Sequence, residues 1–366
     1  MQYLVERASG ADSRIYSIHG AYESGIERYI ATTPESRSIC NLPEILGCEF
    51  SDLLRSAVTR ALRIAPFRQI IEKTAEHRVC VLNFLRGGLN FDLRGALRDA
   101  YGFNCQSSAF MSSQRFRQDG RWGVREDMYR KLMIPPEAVL MTGDVVATGV
   151  TVGNGLRVLL EHLQSIGSSI RKLVFVTIGC HKVEKQLAES DRAFREAFPG
   201  FEGSIAVYLE GKFKLVDSRS GLRISVPGTD LIRRGALLAP EFELSQYDDP
   251  AYPLERCVVY DAGSRAFDIP TYRADLCSYW EKVADQARQG WTLREALAER
   301  WPEADYETLE SLVECKSQQW QGVARERIES LHAAYTRRWN EVFSRRADSS
   351  EALLAVCRDR MGKLVL

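Results

Sequence analysis

The sequence lacks a surplus of charge: 49 Lys and Arg balance 49 Asp and Glu over 366 residues. Binding to nucleic-acid backbones draws mainly on excess positive charge, so no nucleic-acid partner is expected. It lacks any run of 18 apolar residues, so neither a membrane span nor a membrane partner is expected. The opening MQYLVERASGADSR has no apolar stretch of the signal-peptide kind. It also lacks paired cysteines. The nine are odd in number and none fall at C-x-x-C spacing, which argues against a zinc knuckle and a disulfide framework. Those in apolar runs, such as Cys80 and Cys257, read as small buried hydrophobes in a reducing cytoplasm. The five histidines never fall at H-x-x-x-H or H-E-x-x-H spacing, so no metal site of that kind is expected. Internal repeats and low-complexity segments are missing too.

What is present is the mix of an ordinary globular chain, 45% hydrophobic and 27% charged. The length suggests two domains, or one large domain with additions. Residues 50–76 read as helical, split by Pro66. Val79–Leu85 is a short apolar run ended by Gly87-Gly88, and Leu89, Leu93 and Leu97 then follow at helical spacing. Phe103–Phe110 is a weaker strand. Ala138–Thr142 is a further apolar run, broken at Gly143-Asp144, before a helical face through Leu156, Leu159, Leu160, Leu163 and Ile166. Leu173–Ile178 and Ile205–Leu209 are two more strands. Continuous apolar strands alternating with amphipathic helices predict an α/β protein with a parallel sheet flanked by helices.

Such sheets bind ligands beyond the carboxyl ends of their strands, which singles out the loops 85–90 and 143–152. The expected domains are 1–74, N-terminal helices and a possible hood; 75–210, the α/β core; 211–270, an irregular or β insertion and the other possible hood; and 271–366, a mostly helical extension. In the last, Tyr306–Arg346 reads as one or two long helices with Gly322 as a break.

The loop Val139-Leu-Met-Thr-Gly-Asp-Val-Val-Ala-Thr-Gly-Val-Thr151 joins a strand, one carboxylate and a small-residue turn that opens a helix. A helix start offers unpaired N–H groups and the positive end of the dipole, and small residues let backbone approach an anion. Asp144, at the strand end, suits sugar hydroxyls. An ordinary strand-to-helix turn with an Asp cap is the alternative. The pattern resembles the phosphoribosyl-pyrophosphate-binding motif of type I phosphoribosyltransferases: apolar residues, two acids, two apolar residues, then Ala-Thr-Gly-Gly-Thr. Val139–Met141, Asp144, Val145, Val146, Ala147, Thr148, Gly149 and Thr151 match. Gly143 stands where the first acid belongs, and Val150 where the second glycine belongs.

The resemblance implies that the turn from Ala147 to Thr151 grips a 5-phosphate and that Asp144 holds the ribose. It implies a pyrophosphate loop upstream, which Arg86, Gly87 and Gly88 fit, with Arg86 as a fixed positive fork. It also implies a mobile hairpin at Ser112–Lys131 that closes over pyrophosphate. Arg115, Arg117, Arg121 and Arg125 are the candidates for its charge; a solvated charged loop is the other reading. The resemblance spans about residues 75–210. Val259-Tyr-Asp-Ala-Gly-Ser-Arg265 is faintly similar to a base-site segment of uracil-type members. Cys180-His181 ends another strand, where a turn is expected.

The implied activity is transfer of a phosphoribosyl group from phosphoribosyl pyrophosphate to a nitrogen nucleophile, a base or base-like heterocycle. Pyrophosphate leaves, with Mg²⁺ held mainly through it and no protein metal cage. The implied partners are the donor and a small base or nucleotide, in a homodimer. The alternative is a catalytically silent nucleotide or phosphate sensor on the same fold.

Overall fold

A computed structural model describes residues 2–20, 25–85, 87–118, 121–146, 149–225, 230–255, 268–302, 308–343 and 348–364, with the side chains of 113–128 and 343 outside the description. The chain runs through β1 (Tyr3–Ser9), β2 (Arg14–His19), β3 (Glu27–Thr32), α1 (Pro34–Asn41), α2 (Gly47–Leu62), α3 (Phe67–Ile71) and β4 (Val79–Leu85). A 3-10 turn, Gly87–Phe91, leads to α4 (Leu93–Tyr101), β5 (Ser107–Gln118), β6 (Arg121–Lys131), β7 (Ala138–Val146), α5 (Val150–Ser165), β8 (Ile170–Cys180), α6 (Lys182–Ala197), β9 (Gly203–Leu215) and β10 (Leu231–Leu238). Then come α7 (Pro240–Ser245), α8 (Ala251–Leu254), α9 (Ile269–Arg288), α10 (Leu293–Arg300), α11 (Leu309–Gln319), β11 (Trp320–Gln321), α12 (Arg325–Phe343) and α13 (Ser350–Leu364).

All the strands join one sheet in the order β11-β1-β2-β3-β9-β8-β7-β4-β5-β6, with β10 pairing on β9. From β3 to β5 every neighbour is parallel. Both side-chain faces of β8 are buried along almost its whole length, as a strand covered on both sides of the sheet must be. α6 packs on it and on β9, and α5 lies beside α6 and against β5 and β6. α5 buries Val152, Leu156, Leu159 and Leu163 at helical spacing, and α6 buries Val183, Leu187 and Phe194. Truncating a fully buried leucine such as Leu156 to Ala costs about 2–5 kcal/mol.

The expected α/β sheet is therefore present, with strands close to their expected bounds. Three local readings change. Residues 3–32, within the segment expected to hold N-terminal helices and a possible hood, form three strands that extend the sheet. Their alternation is broken by buried polar residues, Ser17, Arg28 and Thr32, which hid the period from the sequence. Leu89 does not share a helix with Leu93 and Leu97: it is 44% exposed in the 3-10 turn. Asp92, at a left-handed φ of 37°, starts α4 by accepting the Gly95 N–H. The weaker strand expected at Phe103–Phe110 begins at Ser107 instead.

The helical C-terminal region is tied to the far edge of the sheet. β11 pairs in parallel with β1, Leu4 opposite Trp320. Arg327 of α12 donates to both Glu6 of β1 (3.2 Å) and Glu241 of α7 (3.0 Å), and Tyr16 donates to Glu241 at 3.0 Å. α11 and α12 are separated at Trp320–Gly322, where Gly322 takes a φ of 75°. Ile328, Leu331, Tyr335 and Val342 of α12 are buried.

Candidate functional site

β4 and β7 are parallel neighbours, Val79 opposite Val139 through Leu82 opposite Thr142, so their carboxyl ends lie side by side. The two loops chosen from the sequence therefore meet. The 3-10 turn after β4 wraps over the end of β7. A Cβ on Gly88 would sit 3.1 Å from the Gly143 carbonyl oxygen and 3.3 Å from Asn83 Cα, closer than ordinary carbon contacts allow. A Cβ on Gly87 would strike the Asp144 carboxylate at Oδ1. The glycines at 87 and 88 thus let the upstream turn approach the end of β7 closely.

Asp144 is half-buried. Its Oδ1 accepts the Val145 N–H at 2.9 Å, and its carbonyl accepts the hydroxyl of Thr177, fully buried on β8, at 2.8 Å. The carboxylate is thereby tied to its own strand, and the Asp144 backbone to the neighbouring one. The position before it is filled in an unexpected way. Phe91, 1% exposed, lies against Gly143, and a Cβ there would be 2.6 Å from Phe91 Cγ and 2.7 Å from Cδ1. The place of a first acid in the motif is occupied by an aromatic ring from the upstream loop.

Beyond β7, Gly149 caps α5 with a φ of 75°, a conformation that costs glycine nothing. Among the described residues no side chain caps this end; Gly153 N–H makes the first backbone bond, to Gly149 O, at 3.0 Å. The amides of Val150, Thr151 and Val152 are thus the helix's N-terminal donors, and its 16 residues align their dipoles behind them. α6 lies alongside. A Cβ on Gly149 would be 3.4 Å from the Lys182 carbonyl oxygen and 3.2 Å from Gln186 Cγ. Lys182 makes no ion pair among the described residues, and its backbone and Cβ border the α5 end.

Of the residues chosen from sequence, Gly87, Gly88 and Asp144 meet at these two strand ends, Val145 follows on β7, and Gly149, Val150 and Thr151 open α5. Arg86, Ala147 and Thr148 lie outside the described residues, as does the segment 259–265. The backbones of Arg115, Arg117, Arg121 and Arg125 belong to an antiparallel hairpin rather than an irregular loop. Arg115 is opposite Val124, Arg117 opposite Trp122, and Arg121 opposite Gln118; their side chains lie outside the description. β5 runs parallel to β4 with Ser112 opposite Leu85, so the hairpin rises from the same sheet end that carries the two loops.

Cys180 is fully buried, and burial pushes its thiol up. The His181 imidazole is held below its ordinary range, first by desolvation and then by the positive charges of Lys182 and Lys212. Lys212 and Arg28, both nearly buried, flank Glu184 at 3.0 and 3.4 Å, and burial lowers the lysine. Glu210 is the most enclosed carboxyl of β9: 0% exposed, with a φ of 65°. It accepts Thr32 Oγ1 at 2.7 Å, Thr33 N–H at 2.9 Å and the Ser36 hydroxyl. Burial nevertheless raises it to about 7, against the opposing effects of Arg37 and these donors.

No family model and no curated protein match the chain. Solved structures similar to it include the AQ2163 protein from Aquifex aeolicus, at 16% identity and a TM-score of 0.32, over 50% of this chain and 86% of that one. Adenine phosphoribosyltransferase from Trypanosoma brucei is 12% identical with a TM-score of 0.33, over 54% and 92%. A hypoxanthine-guanine phosphoribosyltransferase from Bacillus anthracis is 18% identical with a TM-score of 0.24, over 35% and 67%. These are distant, partial likenesses, and no residue role passes from them to this chain.

Phe91, Thr177, Lys182 and Gln186 escaped the sequence reading. Each reaches the site from a neighbouring element, and only sheet order reveals that. The one available signal was Gly143: a glycine inside a buried strand marks a close approach by something else.

Proposed function

We propose that the chain is a phosphoribosyltransferase, moving the phosphoribosyl group of phosphoribosyl pyrophosphate to a nitrogen nucleophile of a base or base-like heterocycle. The observation that carries this reading is the contact between Gly87-Gly88 and Gly143-Asp144. It joins two loops, each suited to a phosphate, around one carboxylate suited to a sugar. The N–H groups at the start of α5 would hold the 5-phosphate, helped by the charge of Lys182. The 86–88 loop would hold pyrophosphate, and Asp144 would orient the sugar between them. The reaction passes through a cationic sugar with pyrophosphate leaving, so positioning and fixed charge do most of the work. The arginines of the β5–β6 hairpin would neutralise the leaving group and exclude water.

The donor set fits Mg²⁺ brought in by the ligand. Asp144 is the only carboxylate in the two loops, and no cluster of three His, Cys, Asp or Glu is present among the described residues. Mg²⁺ typically keeps one or two carboxylates together with phosphate oxygens and water. Bound in this way, it would supply charge neutralisation to the pyrophosphate. Homodimerisation and a base or nucleotide as second ligand belong to the same proposal.

The ring of Phe91 at Gly143 favours a second reading, a sensor that binds the donor or a nucleotide without turnover. Thermal shift with phosphoribosyl pyrophosphate and Mg²⁺, followed by a pyrophosphate-release assay across a panel of bases, separates the two. A shift with release supports the transferase; a shift without release supports the sensor. No shift at millimolar donor contradicts both, because a ligand that binds only the folded state must stabilise it.

A further inference from the structure

We infer that β6 is the surface through which two copies of this chain pair, antiparallel about a two-fold axis between Met128 and Tyr129. The inference supplies the face for the homodimer proposed above, and it stands or falls separately from the chemistry of the ligand loops.

The two edges of the sheet differ. One ends in β11, only two residues long, and a very short edge strand resists further pairing. The other ends in β6, 11 residues long, with β5 on one side and no described strand on the other. That edge also gathers exposed hydrocarbon. Four large hydrophobic side chains are exposed among the described residues, and three lie here: Tyr129 (51%), Met133 (64%) and Ile166 (53%). Ile166 follows the last turn of α5, which is tied to the end of β6 by His162; its Nε2 lies 3.0 Å from the Leu132 carbonyl oxygen. Exposed apolar groups gathered in one place, unlike single scattered ones, mark an interaction surface.

The sequence of the strand points to the partner. Glu126-Asp127-Met128-Tyr129-Arg130-Lys131 runs acid, acid, apolar, apolar, base, base. Such an order is complementary to its own reverse. Laid antiparallel on a second copy, it sets position Glu126 opposite the partner's Lys131 and position Asp127 opposite the partner's Arg130. The two-fold axis repeats both pairs, giving opposite charges on either side of paired Met128 and Tyr129 positions. In the same register Val124 falls opposite the partner's Met133. Arg130 and Lys131 are exposed and make no ion pair among the described residues, so nothing described there competes for their charge. Arg125 and Met128 are bulged, with no residue of β5 opposite them. The bulges keep any backbone ladder short, so the charge order sets the register.

Sedimentation of the full chain at micromolar concentration tests this. The expected species is a dimer; a monomer overturns the inference and leaves the reading of the ligand loops standing. An acidic variant carries Arg130→Glu and Lys131→Glu, and a basic variant carries Glu126→Lys and Asp127→Lys. The folding of each is checked by circular dichroism and thermal melting. Each alone should dissociate, its dimer dissociation constant rising at least tenfold over wild type. Mixed in equal amounts, the two should form a heterodimer within fivefold of wild-type affinity, because every acid again meets a base. A folded acidic variant as dimeric as the wild type means that the copies pair elsewhere, and overturns the assignment to β6 whether or not the basic variant folds. Two folded variants that stay monomeric when mixed overturn the antiparallel register.

Discussion

Placing a methyl group on Gly143 should destabilise the protein, and removing the Phe91 ring should make the same methyl group tolerable. The Gly143→Ala Cβ would sit 2.6, 2.7 and 3.1 Å from Phe91 Cγ, Cδ1 and Cβ. Comfortable carbon contacts lie at roughly 3.5–4.0 Å, so the ring would have to retreat by about 1 Å. It cannot do so freely, because it is 1% exposed and ends a turn so close to β7 that a Cβ added on Gly88 would lie 3.1 Å from the Gly143 carbonyl oxygen. Overpacking of this kind costs about 1–3 kcal/mol. Phe91→Ala alone should cost about 3–5 kcal/mol through lost burial and the cavity left behind. In the double variant the new methyl group enters that cavity, so the overpacking cost disappears and a little burial returns. The double variant should therefore be about 1–3 kcal/mol more stable than the two single losses imply. Urea unfolding of the four proteins, monitored by tryptophan fluorescence and circular dichroism, gives the cycle. Additivity within about 0.5 kcal/mol, the scatter seen for independent sites, would refute the wedge.

Asp144→Asn should retain the fold, since the amide oxygen can still accept the Val145 N–H, while donor affinity or turnover falls about 10- to 100-fold. This is the range for a lost charged hydrogen bond or two, read by calorimetry and pyrophosphate release. Glu210→Gln should remove a pH dependence of stability. The folded carboxyl titrates at about 7 against an ordinary value of 4.5, so the folded state holds the proton more tightly. The wild type should therefore lose stability as pH rises from about 4.5 to 7, by roughly 3 kcal/mol from this group at 1.36 kcal/mol per pH decade. Chemical denaturation of both proteins at pH 5 and 8 shows the difference between their slopes; parallel slopes contradict the assignment. Replacing Arg115, Arg117 and Arg121 together by Gln should lower the turnover rate more than ground-state donor affinity. A fully active triple variant would leave the hairpin a mere extension of the sheet.

The central strands were legible because burial on both faces makes their sequence continuously apolar. Val79–Leu85 coincides with β4, and the AVLMT run starts β7 at Ala138. The two ligand loops were legible for a related reason: glycine and a lone carboxylate interrupt those runs just where parallel strands end. β1 to β3 were hidden because Arg28, bound to Glu184, and Thr32, bound to Glu210, put polar residues where alternation demands apolar ones. The hairpin was legible only through the resemblance, because its charge obscured its long antiparallel pairing. The partnership of Phe91 with Gly143 left only the glycine as a signal, since 52 positions separate them and the adjacency of β4 and β7 brings them together.

The central claim is that the turn after β4 and the start of α5 hold one ligand between them. Hydrogen exchange of the backbone amides, measured with and without phosphoribosyl pyrophosphate and Mg²⁺, tests it most directly. The account predicts slower exchange at both 87–91 and 149–153 when the ligand is present, with little change at the distant α9 and α13. Protection of only one of the two segments, or of neither, would contradict it.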